Sequence, residues 1–198
     1  MSNTVIKYGL IAAVLGGVYL ASNNNSSSPS FVEEEIDLNA ALDITVDTLH
    51  SYSDGLGDTK PEGDAAFLGF AEKLGTNYNL AQPPLYKDQI GVSPQADASL
   101  MAFSDTNMNR ALDEGEALLF KIEIDGDQSR VIASSNTGEV NEHHFSGTSL
   151  LAGYLLGSMM SRQRAAGVTS KQLASKKPMS SQTAARSRAG SGSHSTGK

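Results

Sequence analysis

The stretch ALLFKIEIDGDQSRVIAS, residues 117–134, decides the fold. Leu118, Phe120, Ile122 and Ile124 recur at every second position, which places them on one face of a strand. Asp125-Gly126-Asp127 then turns the chain, and residues 130–134 (RVIAS) bring it back. The pattern predicts a β-hairpin.

Working outward, Asn136-Thr137-Gly138 marks a second turn, leading to a last strand through residues 143–145. Upstream, residues 99–103 form a short apolar run. Residues 77–98 hold three of the six prolines and read as irregular. In residues 65–75 (AAFLGFAEKLG), Phe67, Phe70, Ala71 and Leu74 fall at helical spacing, with Asp64 placed to cap the start and Gly75 the end. Residues 54–64 read as a Gly/Asp-rich loop. Ile36, Leu38, Ala40, Leu42, Ile44 and Val46 alternate with polar residues, broken only by Ala41. That alternation predicts another half-buried strand. Residues 31–146 are therefore expected to form an acidic, strand-rich α+β body with one or two short helices, flanked by an N-terminal apolar helix and a disordered C-terminal tail.

The flanks differ from the body in composition. Lys7 precedes an apolar run at residues 8–21, and polar Asn and Ser follow. This is a secretory pattern, although the run is shorter than the roughly 20 residues of a full span. Cleavage after Ala21 would place Tyr19 where a small residue is expected, so residues 1–22 read as an uncleaved or inefficiently cleaved signal anchor. The end of the run, Leu20-Ala21-Ser22-Asn23, has the look of a lipoprotein signal without its cysteine, which excludes lipidation there. Residues 23–30 (NNNSSSPS) form a linker. Residues 147–167 predict a helix on which Ser149, Gly153, Gly157 and Ser161 recur every fourth position, a spacing that lets two helices approach closely; the helix is expected to pack on the body, with self-association or membrane contact as the alternatives. Residues 168–198 lack the apolar residues for a core and read as a disordered basic tail.

Charge is divided in the same way. All 22 acidic residues lie between Glu33 and Glu142, against six basic ones, an excess of 16 negative charges. Residues 161–198 carry eight basic residues and no acidic one. Such a tail suits an anionic surface or polymer, and the acidic body attracts cations. The chain has no Cys, which excludes disulfides, thiol catalysis and Cys-ligated zinc or iron–sulfur centres.

One motif carries chemistry. Residues 105–116, DTNMNRALDEGE, follow the calcium-loop pattern D-x-[DN]-x-[DN]-G-x5-E at five side-chain positions: Asp105, Asn107, Asn109, Asp113 and Glu116. Ala111 would add its backbone carbonyl. A hard cation takes six to eight oxygens, and a long carboxylate at the twelfth position closes the shell. The departure is Arg110, where Gly is expected because the backbone turns with positive φ. With three carboxylates and Arg110 in the loop, the expected affinity is weak, on the order of 10⁻⁴–10⁻³ M. The stretch resembles the calcium loops of B-type repeats in bacterial surface adhesins and of dockerins, over residues 102–133 only. That resemblance implies calcium as a structural clamp. The overall plan, with the LAGYLLG of residues 151–157 and the RQRAAG after it, also resembles the YgiB-like bacterial envelope proteins. That likeness implies an envelope location and no catalytic residues.

Other motifs yield little. Gly192, Gly197 and Lys198 match a phosphate loop only in spacing, with no strand before and no helix after. His143 and His144 are neighbours on a strand and point to opposite faces, so they do not easily share a metal; they read as two ordinary histidines, with a transition-metal site including Glu142 as the lesser alternative. No nucleophile elbow, zinc-protease helix or dinucleotide fingerprint is present. The expectation is a non-enzymatic, membrane-anchored envelope protein with its body outside the cytoplasm and calcium as a weak structural cofactor. The alternatives are a subunit of a larger assembly, pilus-like or virion-associated, and a calcium-dependent enzyme.

Overall fold

A computed structural model of the chain describes residues 36–61, 64–146 and 153–190. It is a mixed α+β fold: two helices, α1 (Leu38–Leu56) and α2 (Ala65–Asn79), precede a five-stranded antiparallel sheet. The strands are β1 (Ile90–Pro94), β2 (Leu100–Ser104), β3 (Leu118–Asp125), β4 (Arg130–Ser135) and β5 (Val140–His144), paired in chain order. Helices α3 (Tyr154–Ala165), α4 (Ser170–Ala174) and α5 (Ser181–Gly190) follow. The expected N-terminal anchor and linker lie outside the described residues. Among those described, no helix is long and apolar enough to cross a membrane.

The hairpin of residues 117–134 forms as predicted, except that Leu118 is only partly buried and Leu119 is buried instead, where the β2–β3 register shifts between Ala102 and Phe103. Phe120, Ile122 and Ile124 are buried on one face, level with Ala133 and Val131 of β4. Helices α1 and α2 pack on that face, where the Tyr78 and Phe120 rings meet edge to face at 5.5 Å. Burial raises the Tyr78 hydroxyl above its ordinary pKa, and the hydroxyl pairs with Thr45 Oγ1 at 2.6 Å.

The strand expected over residues 36–46 is instead the start of α1. The side chains buried there are Leu38, Ala41, Leu42, Thr45, Val46 and Leu49, a helical set. Asp37 caps the helix by accepting the N–H groups of Asn39 and Ala40 at 3.0 and 3.1 Å. The apolar positions fit both periods, and the cap together with Ala41 and Leu49 decides for the helix. The body thus carries two substantial helices and is less strand-rich than expected. Helix α2 also runs past Gly75, which lies against the sheet edge: a Cβ there would sit 3.6 Å from the Ile90 carbonyl oxygen. Asp64 makes no capping bond and pairs with Arg162. β1 lies within the segment expected to be irregular. Its outer edge meets Asn79, whose side-chain amide donates to the Ile90 carbonyl and accepts from the Ile90 N–H, at 2.9 and 2.8 Å.

The second face of the sheet carries Lys121, Glu123, Asp125, Arg130, Ile132 and Glu142 by register. The disordered tail expected from residue 168 is corrected over residues 170–190, a strap whose residues 170–179 lie on this face, with helix α5 after them. Thr169 and Gln172 build a capping box at the start of α4. Leu173 and Ala184 are buried, and Met179 exchanges backbone hydrogen bonds with Val140 at the β5 edge, both 2.8 Å. Arg130, 4% exposed, is held by Asp125 at 3.1 Å and by Glu142. It donates onward to the carbonyls of Leu173 and Lys176 at 2.8 and 3.2 Å. Lys176 pairs with Glu123, and Ser170 with Asp127. A buried guanidinium with two carboxylates and two carbonyls is satisfied throughout, so desolvation does not expel it.

Candidate metal centre

Residues 105–116 join β2 to β3, so both ends of the loop are fixed by neighbouring strands. Ser104 N–H bonds the Ala117 carbonyl, and Asp105 N–H bonds the Gln89 carbonyl, both at 2.8 Å. Asp105 and Glu116, the first and twelfth positions, are 4% and 6% exposed. Buried carboxylates need partners, and here the backbone supplies them. Asp105 accepts the N–H groups of Asn109 at 3.1 Å and Arg110 at 2.9 Å, one on each oxygen. Glu116 accepts from Thr106 N–H at 3.1 Å and from Asp113 N–H at 3.0 Å.

The backbone turns where the motif requires it. Arg110 has φ +62° and Met108 φ +59°. Each left-handed residue other than Gly costs on the order of 1 kcal/mol. The Arg110 guanidinium does not point its charge at the loop carboxylates. It pairs with Glu72 on α2 at 2.5 Å.

The remaining positions are partly turned to one another. The amides of Asn107 and Asn109 donate to Asp113 Oδ2 at 2.8 and 2.6 Å, and these bonds hold the Asp113 carboxyl below its usual range. Asn107 Oδ1 accepts from Asn109 N–H, and Asn109 Oδ1 from Ala111 N–H. Each of these oxygens keeps a second lone pair, so the donor set suits a hard cation. Among the described residues no group of three His, Cys, Asp or Glu side chains is gathered as a metal site. Asp105 and Glu116 face separate runs of loop amides, and Asp113 faces the asparagines. Asp105, Asn107, Asn109, Asp113 and Glu116, with the Ala111 carbonyl, would hold the ion. Sequence reading missed Thr106 as a partner of Glu116 and Glu72 as the partner of Arg110. The first follows from its backbone N–H, which no side-chain pattern reports. The second is 38 positions away.

Beside the loop lies a groove of about 760 Å³ between α2 and β1. Leu68, Leu80 and Met108 line it and are exposed. His143 pairs with Asp43 of α1 at 2.8 Å, whereas His144 lies 3.6 Å from Glu142 on the other face. The two histidines do not converge. The small-residue helix packs on the body through Leu155, Leu156, Met159 and Gln163, while Gly157 and Ser161 are exposed. Gly153 precedes that helix, and Ser149 lies outside the described residues.

Comparisons with family models, with curated proteins and with solved structures each returned no match.

Proposed function

We propose that this chain is a non-enzymatic, membrane-anchored protein of the bacterial envelope whose body carries a structural calcium loop. The observation that carries the reading is Arg110 at φ +62°, with its N–H on Asp105 and its guanidinium turned away to Glu72. The loop holds the backbone form the motif needs without its usual Gly. Calcium would tie the end of β2 to the start of β3 as a clamp. A weak site fills where calcium is abundant, which agrees with a body outside the cytoplasm and residues 1–22 as the anchor. The basic C-terminal residues are assigned to an anionic surface.

The test is calorimetric titration of calcium into the detergent-solubilised chain, with melting followed in calcium and in chelator. The expected affinity is on the order of 10⁻⁴–10⁻³ M. Free calcium at about ten times Kd adds about 1.4 kcal/mol of stability. Glu116→Gln is expected to abolish the calcium-dependent part of the melting shift. Absence of both heat and shift in the unaltered chain would falsify the clamp.

A second reading, a subunit of a larger assembly, is favoured by Leu68, Leu80 and Met108 exposed along one groove. Sedimentation at rising concentration tests it. A monomer throughout counts against it.

A further inference from the structure

We infer that residues 170–190 are an electrostatic latch: closed on the sheet they are screened by the body, and released they bind an anionic lipid surface. This rests on the reading that the basic C-terminal residues meet such a surface, and adds what controls that meeting.

The strap holds five basic residues and no acidic one. In the closed arrangement one of these cations is paired with a carboxylate and the strap is pinned at a second, while Lys171, Lys177 and Arg186 are exposed. Lys176 is on Glu123, and Ser170 is on Asp127. Arg130, itself fixed by Asp125 and Glu142, grips the strap backbone at the carbonyls of Leu173 and Lys176. Apolar contact is sparse: Leu173 and Ala184 are its only buried hydrophobic side chains among those described. The strap is joined to α3 through Gly167, at φ +79°, a natural place for a change of direction.

Charge in water is felt over about 8 Å at physiological ionic strength. A closed strap therefore shows a membrane its cations together with the carboxylates beneath them. An open strap shows the cations alone, and a polybasic segment is drawn to anionic lipid within that same distance. Closure and lipid binding compete for Lys176, and closure keeps the other strap cations within the field of the body's carboxylates, so each weakens the other. A stronger latch must lower lipid affinity, and lipid must favour the open strap.

The chain has no Cys, so Val140→Cys with Met179→Cys introduces a single possible disulfide. These residues face each other as a hydrogen-bonded antiparallel pair. The Cα separation of such a pair, about 5.5 Å, is within disulfide reach. The full chain is partitioned into vesicles of phosphatidylserine with phosphatidylcholine, and into vesicles of phosphatidylcholine alone. Their ratio removes any contribution of the N-terminal segment. The oxidised chain is expected to lose about tenfold of its preference for the anionic vesicles, and reductant to restore it. Equal preference in both redox states overturns the latch and leaves the lipid reading standing. No preference in either state overturns both.

Glu123→Gln tests the latch from the other side, and remains informative should the disulfide not close. It frees Lys176 and is expected to raise the anionic preference about threefold. No increase in a chain of unchanged circular dichroism overturns the latch.

Discussion

On the face of the sheet that carries Phe120, Ile122 and Ile124, helices α1 and α2 close the interior with apolar side chains and one paired tyrosine. On the face that carries Glu123, Asp125 and Arg130, residues 170–179 of the strap close it with ion pairs and backbone carbonyls. The two closures respond to different forces. The first depends on area removed from water and is indifferent to moderate salt. The second depends on charge, so ionic strength and pH act on it. One sheet thus has a permanent face and a conditional one.

The largest expected effect breaks the permanent face. Phe120→Ala should cost about 3–5 kcal/mol, leaving a cavity beside Tyr78. Thermal melting should report a loss that does not change between low and high salt. Arg130→Met should cost about 3 kcal/mol, because it leaves the buried Asp125 carboxylate without its cation. Its distinguishing result is hydrogen exchange: amides of residues 170–179 should lose protection while those of β3 keep theirs. Equal loss in both segments would mean that the strap and sheet are a single cooperative unit.

Arg110→Gly sharpens the comparison from the loop. It relieves a left-handed residue and should stabilise the chain by up to about 1 kcal/mol, less the exposed pair with Glu72 and the added freedom of Gly when unfolded. It should also tighten calcium binding. Unchanged stability and affinity would show that Arg110 bears no strain.

The smallest effect is Asp97→Asn, below about 1 kcal/mol for a partly exposed pair. Burial opposes ionisation of Asp97, but the Ser99 hydroxyl and N–H and the Lys121 ammonium outweigh it and hold the carboxyl low. Its contribution is therefore present above the unfolded value near pH 4 and lost as pH falls. Burial likewise works against the Lys121 charge, but Glu123 and Asp97 raise its pKa overall. That contribution is present below the unfolded value of about 10.4 and lost as pH rises through the folded one. Asp97→Asn should flatten the acid limb of a stability–pH curve and soften the alkaline limb.

The hairpin was legible because Phe120, Ile122 and Ile124 alternate with Lys121 and Glu123, Leu119 alone breaking the pattern, and the turn residues stand where a hairpin needs them. α1 was misread because Leu38, Leu42 and Val46 satisfy a period of two and a period near 3.6 together. The discriminating signals were local: Asp37 as a cap, Ala41 out of phase, and Leu49 continuing the helical stripe. The sequence spacing places the candidate loop residues in one connection between β2 and β3, and Arg110 there has positive φ. The strap was hidden for another reason. It is held by the carbonyls of Leu173 and Lys176 on a distant arginine, and hydropathy does not register main-chain acceptors. The capping box of Thr169 and Gln172 was the available clue.

The contact between Asn79 and Ile90 has a consequence for life at high concentration. A carboxamide has the donor and acceptor of a peptide unit, so Asn79 serves as a counterfeit strand one residue long. It fills the sheet's first edge at the point where another molecule would begin to zip on, and Met179 does the same at the last edge. Sheets end badly when their margins are left open, since a bare margin is a template for fibre growth. Asn79→Ala would uncover that margin, and opening the strap would uncover the other. The colloidal behaviour of this protein should then be governed by two small plugs, with the bulk of its surface playing the lesser part.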